Sequence, residues 1–160
     1  MTERTSTSPV NHFRGRSDHS LDEKGRINIP TRFRDVLRRQ ADDRLMLTPW
    51  HNCLKVYPIA QWEEIEMTLR EEGKKKKNPN MLSLIRYMIG GVEECAIDKQ
   101  GRVLLPPKLR SECGIGKEVV INGMITYFEI WDQQKWEEAY RPFRENVQEL
   151  EQTLLELELL

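Results

Sequence analysis

Apolar and polar positions along this chain follow one pattern twice. Ile27 and Ile29 alternate with Asn28, as a strand that buries one face should, and Pro30 closes that strand. Phe33, Val36 and Leu37 then fall at helical spacing while Arg32, Arg34, Arg38 and Arg39 point off that stripe. This predicts a short amphipathic helix with a basic outer face. Leu45 to Thr48 and Leu54 to Tyr57 predict a hairpin around Pro49 to Cys53, and a helix follows from Pro58 to about Glu72 with Ile59, Trp62, Ile65 and Leu69 on one side.

The second pass through the pattern lies 76 residues on. Leu21-Asp22-Glu23-Lys24-Gly25-Arg26-Ile27-Asn28-Ile29-Pro30 returns as Ile97-Asp98-Lys99-Gln100-Gly101-Arg102-Val103-Leu104-Leu105-Pro106, and Phe33-Arg34 returns as Leu109-Arg110. Gly15 likewise aligns with Gly91, and Gly114 is placed to stop a shorter second helix. Glu118 to Ile121 and Thr126 to Trp131 predict a second hairpin turning at Asn122-Gly123, followed by a helix from Asp132 to Tyr140 with Asp132 as its N-cap. The two Trp residues of the post-hairpin helices, Trp62 and Trp136, read as core. The chain is one unit used twice, and at 160 residues the two halves depend on each other for a core.

The expected division follows from this. Residues 1–12 are polar and read as a disordered N-terminus, 13–60 form the first repeat, 61–90 a helical linker with a Lys-rich loop, 91–136 the second repeat, and 137–160 an acidic helical tail. Lys74 to Lys77 suit a solvated loop or a phosphate-contacting one. In the tail, Val147, Leu150, Leu154 and Leu157 keep three-four spacing among glutamates, which fits a partner-binding or self-associating helix as well as docking on its own domain.

Charge changes the picture in one respect. The net charge of −1 averages two opposed regions: Arg14 to Arg39 holds eight basic residues against four acidic, while Asp132 to the end holds three against eight. A basic working face and an acidic surface kept away from it are implied. No stretch is long and apolar enough to span a membrane, and the polar start lacks a signal-peptide core, so a cytoplasmic protein is expected. Cys53, Cys95 and Cys113 are odd in number, far apart and without a nearby His cluster, so no metal site is read, and no cofactor is suggested. Three His, no phosphate loop and no dinucleotide fingerprint argue against an enzyme.

The repeated motif carries the chemistry. Gly25 and Gly101 permit a positive φ, and Asp22 and Asp98 suit the turn amides or a paired Arg. An Arg held by a carboxylate on a rigid turn is also what reading guanine edges or gripping phosphate requires, so Arg26 fits scaffold and DNA contact equally on this ground, and Arg102 is its counterpart in the second copy. Lys24, Arg14 and Lys99 join them as candidate DNA contacts by charge.

Phe13-Arg14-Gly15, the two Asp-x-x-Gly-Arg units, Pro30-x-x-Phe33-Arg34 and the Tyr57-Pro58 and Trp62 end of the first repeat resemble the MraZ family of bacterial transcriptional regulators, over about residues 13 to 140. The resemblance implies an α+β fold of two tandem swapped-hairpin (SpoVT/AbrB-like) β-barrel halves with flanking helices. It further implies a nucleoid-associated, ring-forming homo-oligomer that binds double-stranded DNA at short promoter direct repeats and usually represses the division and cell-wall gene cluster, its own promoter included. Arg26 and Arg102 are the arginines of the two family motifs, and Asp22 and Asp98 their acidic members. The second repeat has Gln100 for Lys24 and Gly90 for Arg14, so the halves need not bind equally. A non-enzymatic ring-forming scaffold with an incidental basic face is the alternative.

Overall fold

The computed structural model describes residues 12–40 and 42–160, so the disorder expected of the N-terminal segment concerns residues that, His12 apart, lie outside the described ones. Each half runs in the same order. The first half contributes β1 (Arg16–Ser20), β2 (Arg26–Asn28), α1 (Thr31–Arg39), β3 (Arg44–Trp50), β4 (Cys53–Pro58) and α2 (Ile59–Lys75), after which α3 (Met81–Met88) leads onward. The second contributes β5 (Glu93–Ala96), β6 (Arg102–Leu104), α4 (Pro107–Glu112), β7 (Glu118–Gly123), β8 (Phe128–Asp132) and α5 (Gln133–Glu145), and α6 (Val147–Glu156) ends the chain.

The halves exchange strands. One antiparallel sheet runs β1-β7-β8-β4-β3-β5, so the first strand of each half pairs with the hairpin of the other, and β4 against β8 joins the two hairpins. The remaining strands, β2 and β6, form a separate two-stranded ribbon. The fold is therefore mixed α+β as expected, but the sheet ends in free edges at β1 and β5 and does not close into the β-barrel halves expected from the resemblance. β1 pairs only with β7 and β5 only with β3, so no ladder among the described residues joins the two ends of the sheet.

The core is shared between the halves. Phe13, Phe33 and Phe128 meet with ring centroids 5.1–5.2 Å apart, all at most 1% exposed, and Leu45, Leu54, Leu105, Leu109, Ile121 and Ile130 surround them in one cluster. A second cluster around Tyr57, Trp62 and Met88 seats α2 and α3 on the sheet. Trp62 is thus core, whereas Trp136 is half-buried. It stacks on Tyr140 at 5.0 Å, and the Arg16 guanidinium lies 4.5 Å from both ring centroids. This cation–π contact ties β1 of the first half to α5 of the second.

Local chemistry explains several boundaries. Asp132 caps α5 by accepting from the Lys135 N–H at 3.4 Å. Gly114, at φ +63°, ends α4: its N–H donates to Ser111 O at 3.1 Å and the Ile115 N–H to Arg110 O at 2.9 Å. Two expectations change. Helix α2 runs past Gly73 to Lys75 rather than ending near Glu72, because Lys74 and Lys75 pair with Glu71 and Glu72 three residues back and suit the negative helix end. Asn122 and Gly123 lie within β7, and the chain reverses over residues 124–127, with Ile125 at φ +70°. Glycine is needed at 123 for close approach, since a Cβ there would sit 2.6 Å from Phe13 O.

Candidate nucleic-acid interface

The β2–β6 ribbon places both motif arginines on one surface. Alternation points Ile27 and Val103, directly opposite each other and 0% and 2% exposed, into the core. Their neighbours Arg26, Asn28, Arg102 and Leu104 therefore share the outward face, with Arg26 opposite Leu104 and Arg102 opposite Asn28. The two arginines stand at opposite ends of this three-residue ribbon, related as the halves are related.

Each arginine is held by its own turn. Asp22 Oδ1 accepts from the backbone N–H groups of Lys24 and Arg26, both at 2.9 Å, and Asp22 Oδ2 accepts from Arg26 Nε at 2.6 Å. In the second turn Asp98 Oδ1 accepts from Gln100 and Arg102 N–H at 2.9 Å, and Oδ2 from Arg102 Nε at 2.9 Å. Gly25 at φ +86° and Gly101 at φ +78° close these turns by donating to Asp22 O and Asp98 O. Because the carboxylate takes only Nε, the terminal amines of Arg26 and Arg102 keep no partner among the described residues, although both side chains are fixed and only 29% and 25% exposed. A guanidinium oriented before it meets a ligand loses less freedom on binding.

The turns also brace each other. Ile29 N–H donates to Gly101 O and Leu105 N–H to Gly25 O, each at 3.0 Å. Over each glycine lies an arginine from the other half: Arg110 Nη1 is 2.7 Å from where a Gly25 Cβ would stand, and Arg34 Nη1 is 2.5 Å from that of Gly101. Sequence reasoning placed Arg34 and Arg110 on helix faces and assigned them no part in the site. Their shared 76-residue offset was the available signal, but it is the pairing of β2 with β6 that lays the helix after each ribbon strand over the turn of the other half.

The remaining candidates are peripheral. Lys24 and Lys99 are exposed on the first and second turns. Arg14 comes from outside the ribbon, just before β1, where it is exposed and its carbonyl accepts from Arg32 Nε at 2.9 Å. Beside the second turn a groove of about 620 Å³ is lined by Arg34, Arg38, Lys99, Asp42, Asp43 and Asp98, so its charge is mixed. Among the described residues no His, Cys, Asp and Glu cluster could hold a metal ion, and no helix is long and apolar enough to cross a membrane.

The acids of the turns respond to pH in a stated direction. The Arg26 backbone N–H, its guanidinium and the Lys24 N–H hold the Asp22 carboxyl below its ordinary 3.8, and the matching groups of the second turn do the same for Asp98. A folded value below the unfolded one means the contribution is complete above about pH 3.8 and is lost as pH falls through the lowered value. Side-chain carboxyl NMR is expected to give Asp22 and Asp98 midpoints below 3.8, with the turn amides of residues 24 and 26 shifting at the Asp22 midpoint. Midpoints at or above 3.8 would show that the turn amides do not hold the carboxylates.

Comparison with known proteins agrees with the internal repeat. The family model for MraZ protein, described as antitoxin-like, matches residues 12–84 and again 88–157. The second match continues into α6, beyond the residue-140 limit of the motif resemblance. Among curated proteins, "Transcriptional regulator MraZ" of Syntrophobacter fumaroxidans is 40% identical over 139 residues, covering 87% of this chain and 91% of that protein. The protein of the same name from Desulfosudis oleivorans is 44% identical, covering 79% and 84%, and that from Pediococcus pentosaceus is 36% identical, covering 92% and 99%. Two consecutive matches to one family model, carried by the two halves that exchange strands, establish that this chain belongs to the MraZ family.

Proposed function

We propose that this chain is a sequence-specific DNA-binding transcriptional regulator, acting as a repressor of the division and cell-wall gene cluster and of its own promoter. The observation that carries the reading is the outward ribbon face on which Arg26 and Arg102 are each held by an aspartate while keeping their terminal amines available. A two-stranded antiparallel ribbon is of a size the DNA major groove admits. An Arg fork on such a ribbon suits guanine O6 and N7, and Lys24, Lys99, Arg14, Arg34 and Arg110 suit the flanking phosphates. The printed name of the relatives, transcriptional regulator, supports the same reading.

The finer organisation follows from it. Residues 13–60 and 91–136 act as swapped-hairpin SpoVT/AbrB-like repeats, 61–90 link them and 137–160 form the tail; the β1–β7 and β5–β3 pairings between the halves support this reading. One ribbon makes few base contacts, so a ring of subunits engaging successive direct repeats turns later contacts into intramolecular ones. DNA binding of this kind places the protein in the cytoplasm, on the nucleoid.

Titration with the DNA upstream of the protein's own gene, against scrambled DNA and across a salt series, tests the proposal. Preference for the upstream DNA that survives rising salt is expected, with affinity for both falling as the gain from counterion release shrinks. Equal affinity for the two DNAs would overturn it and leave the scaffold alternative.

A further inference from the structure

The two arginines that cover the turn glycines are equivalent in position and unequal in bonding. Arg34 Nε donates to Ile29 O at 3.1 Å and its Nη2 to Thr31 Oγ1 at 2.9 Å, so this guanidinium is tied to the strand end and helix start of its own half. Arg110 stands 76 residues on, where Leu105 and Pro107 take the places of Ile29 and Thr31. Proline has no hydroxyl to accept a bond. Arg110 Nε is the one buried side-chain nitrogen or oxygen among the described residues with no hydrogen-bond partner, although the residue as a whole is only half-buried.

A buried donor without a partner costs stability and calls for a reason. The surrounding fold offers none. Asp22 is spent on the Lys24 and Arg26 N–H groups and on Arg26 Nε. Glu23 of the covered turn and Glu112 of α4 are both exposed and form no ion pair with Arg110. Gly25, which Arg110 covers, lies between the exposed Lys24 and Arg26, whose terminal amines keep no partner among the described residues. Within the turn, Asp22 and Glu23 balance Lys24 and Arg26, so Arg110 supplies the positive excess that the first turn lacks. The second turn has one already, since Lys99 and Arg102 outnumber Asp98. The first turn thus needs a cation from the other half, and the arginine delivered to it is the one whose N–H groups the fold leaves unpaired.

We propose that Arg110 is an anchoring residue of the interface, reaching across from the second half to grip a DNA phosphate beside the first turn, while the guanidinium of Arg34 is spent chiefly on holding its own helix to the ribbon. A phosphate oxygen accepting from an arginine N–H makes a charge-assisted bond. The proposal rests on the DNA-binding reading above and separates two arginines that charge alone leaves equal.

The full chain, titrated with the DNA upstream of its own gene and with scrambled DNA across a salt series, tests it through Arg110→Met and Arg34→Met, which keep the aliphatic stem. Arg110→Met is expected to reduce the slope of affinity against salt by about one ion on both duplexes, and to weaken binding about eightfold near 0.1 M salt. Ethylation interference on the upstream DNA should lose one phosphate, and the urea midpoint should stay at or above that of wild type, because an unpaired donor has been removed. Arg110→Lys, which keeps the charge, should retain the slope. Arg34→Met should show the reverse, a lowered urea midpoint with a slope near wild type. A wild-type slope and footprint in Arg110→Met would overturn the proposal, as would an equal loss of slope in Arg34→Met, or a lost slope in Arg110→Met accompanied by a lowered midpoint. A wild type that binds neither duplex would remove the DNA reading along with the anchor, whereas a wild type that prefers the upstream DNA beside an unchanged Arg110→Met removes the anchor alone.

Discussion

Phe33→Ala is expected to destabilise the protein by about 3–5 kcal/mol, the range for deleting a fully buried aromatic side chain. Phe33 is 0% exposed and touches Phe13 from the start of the first half and Phe128 from the second, the pair with Phe13 lying edge to face at 81°. Removing the ring leaves a cavity where the halves meet, and rigid strands on both sides limit its collapse. Both halves lose stability together because their core is one cluster. Urea unfolding followed by far-ultraviolet dichroism and tryptophan fluorescence is expected to give one coincident transition with a lowered midpoint. Phe33→Leu, which keeps most of the volume, should cost much less. Two separated transitions, with only one shifted, would mean that the halves fold independently.

Arg26→Ala is expected to weaken binding to the proposed operator by about 1–3 kcal/mol for each base that the arginine reads, while leaving the unfolding midpoint near wild type. The turn survives because Asp22 still receives the N–H groups of residues 24 and 26, and Gly25 still closes on Asp22 O. The ion pair itself is about one-third exposed and contributes little to folding. Arg102→Ala should weaken binding less, since its turn carries Gln100 where the first carries Lys24 and lies beside a groove that includes Asp42 and Asp43. Lys24→Ala should reduce the slope of affinity against salt by about one ion and leave sequence preference intact. Fluorescence anisotropy with operator and scrambled duplexes separates these outcomes. An Arg26→Ala chain that folds and binds as wild type does would leave Arg26 a scaffold residue only.

What the chain showed in advance depended on how local each feature is. The Asp-x-x-Gly-Arg turns were legible because the hydrogen bonds that tie each Asp to its turn and its Arg span four residues or fewer, from Asp22 to Arg26 and from Asp98 to Arg102. The order of β2, α1, β3, β4 and α2, and of β6, α4, β7, β8 and α5, was legible from periodicity for the same reason, whereas β1 and β5 were not read. The pairing of β1 with β7 and of β5 with β3 is nonlocal, and an internal repeat alone does not say whether the copies lie side by side or exchange strands. The placement of Arg34 over Gly101 and Arg110 over Gly25 depends on the equally nonlocal pairing of β2 with β6 and was therefore out of reach. Asn122-Gly123 misled because the pair is a turn signal wherever it stands, while the close approach of Phe13 O that requires Gly123 comes from more than a hundred residues away.

The claim that the ribbon arginines read DNA is tested most directly by titrating the operator and its scrambled counterpart with wild type and with R26A/R102A at two salt concentrations. The expected result is an operator preference in the wild type that collapses in the double variant, whose residual affinity is salt-dependent and equal for the two duplexes. A double variant that keeps its mass, its fold and its full operator preference would contradict the claim.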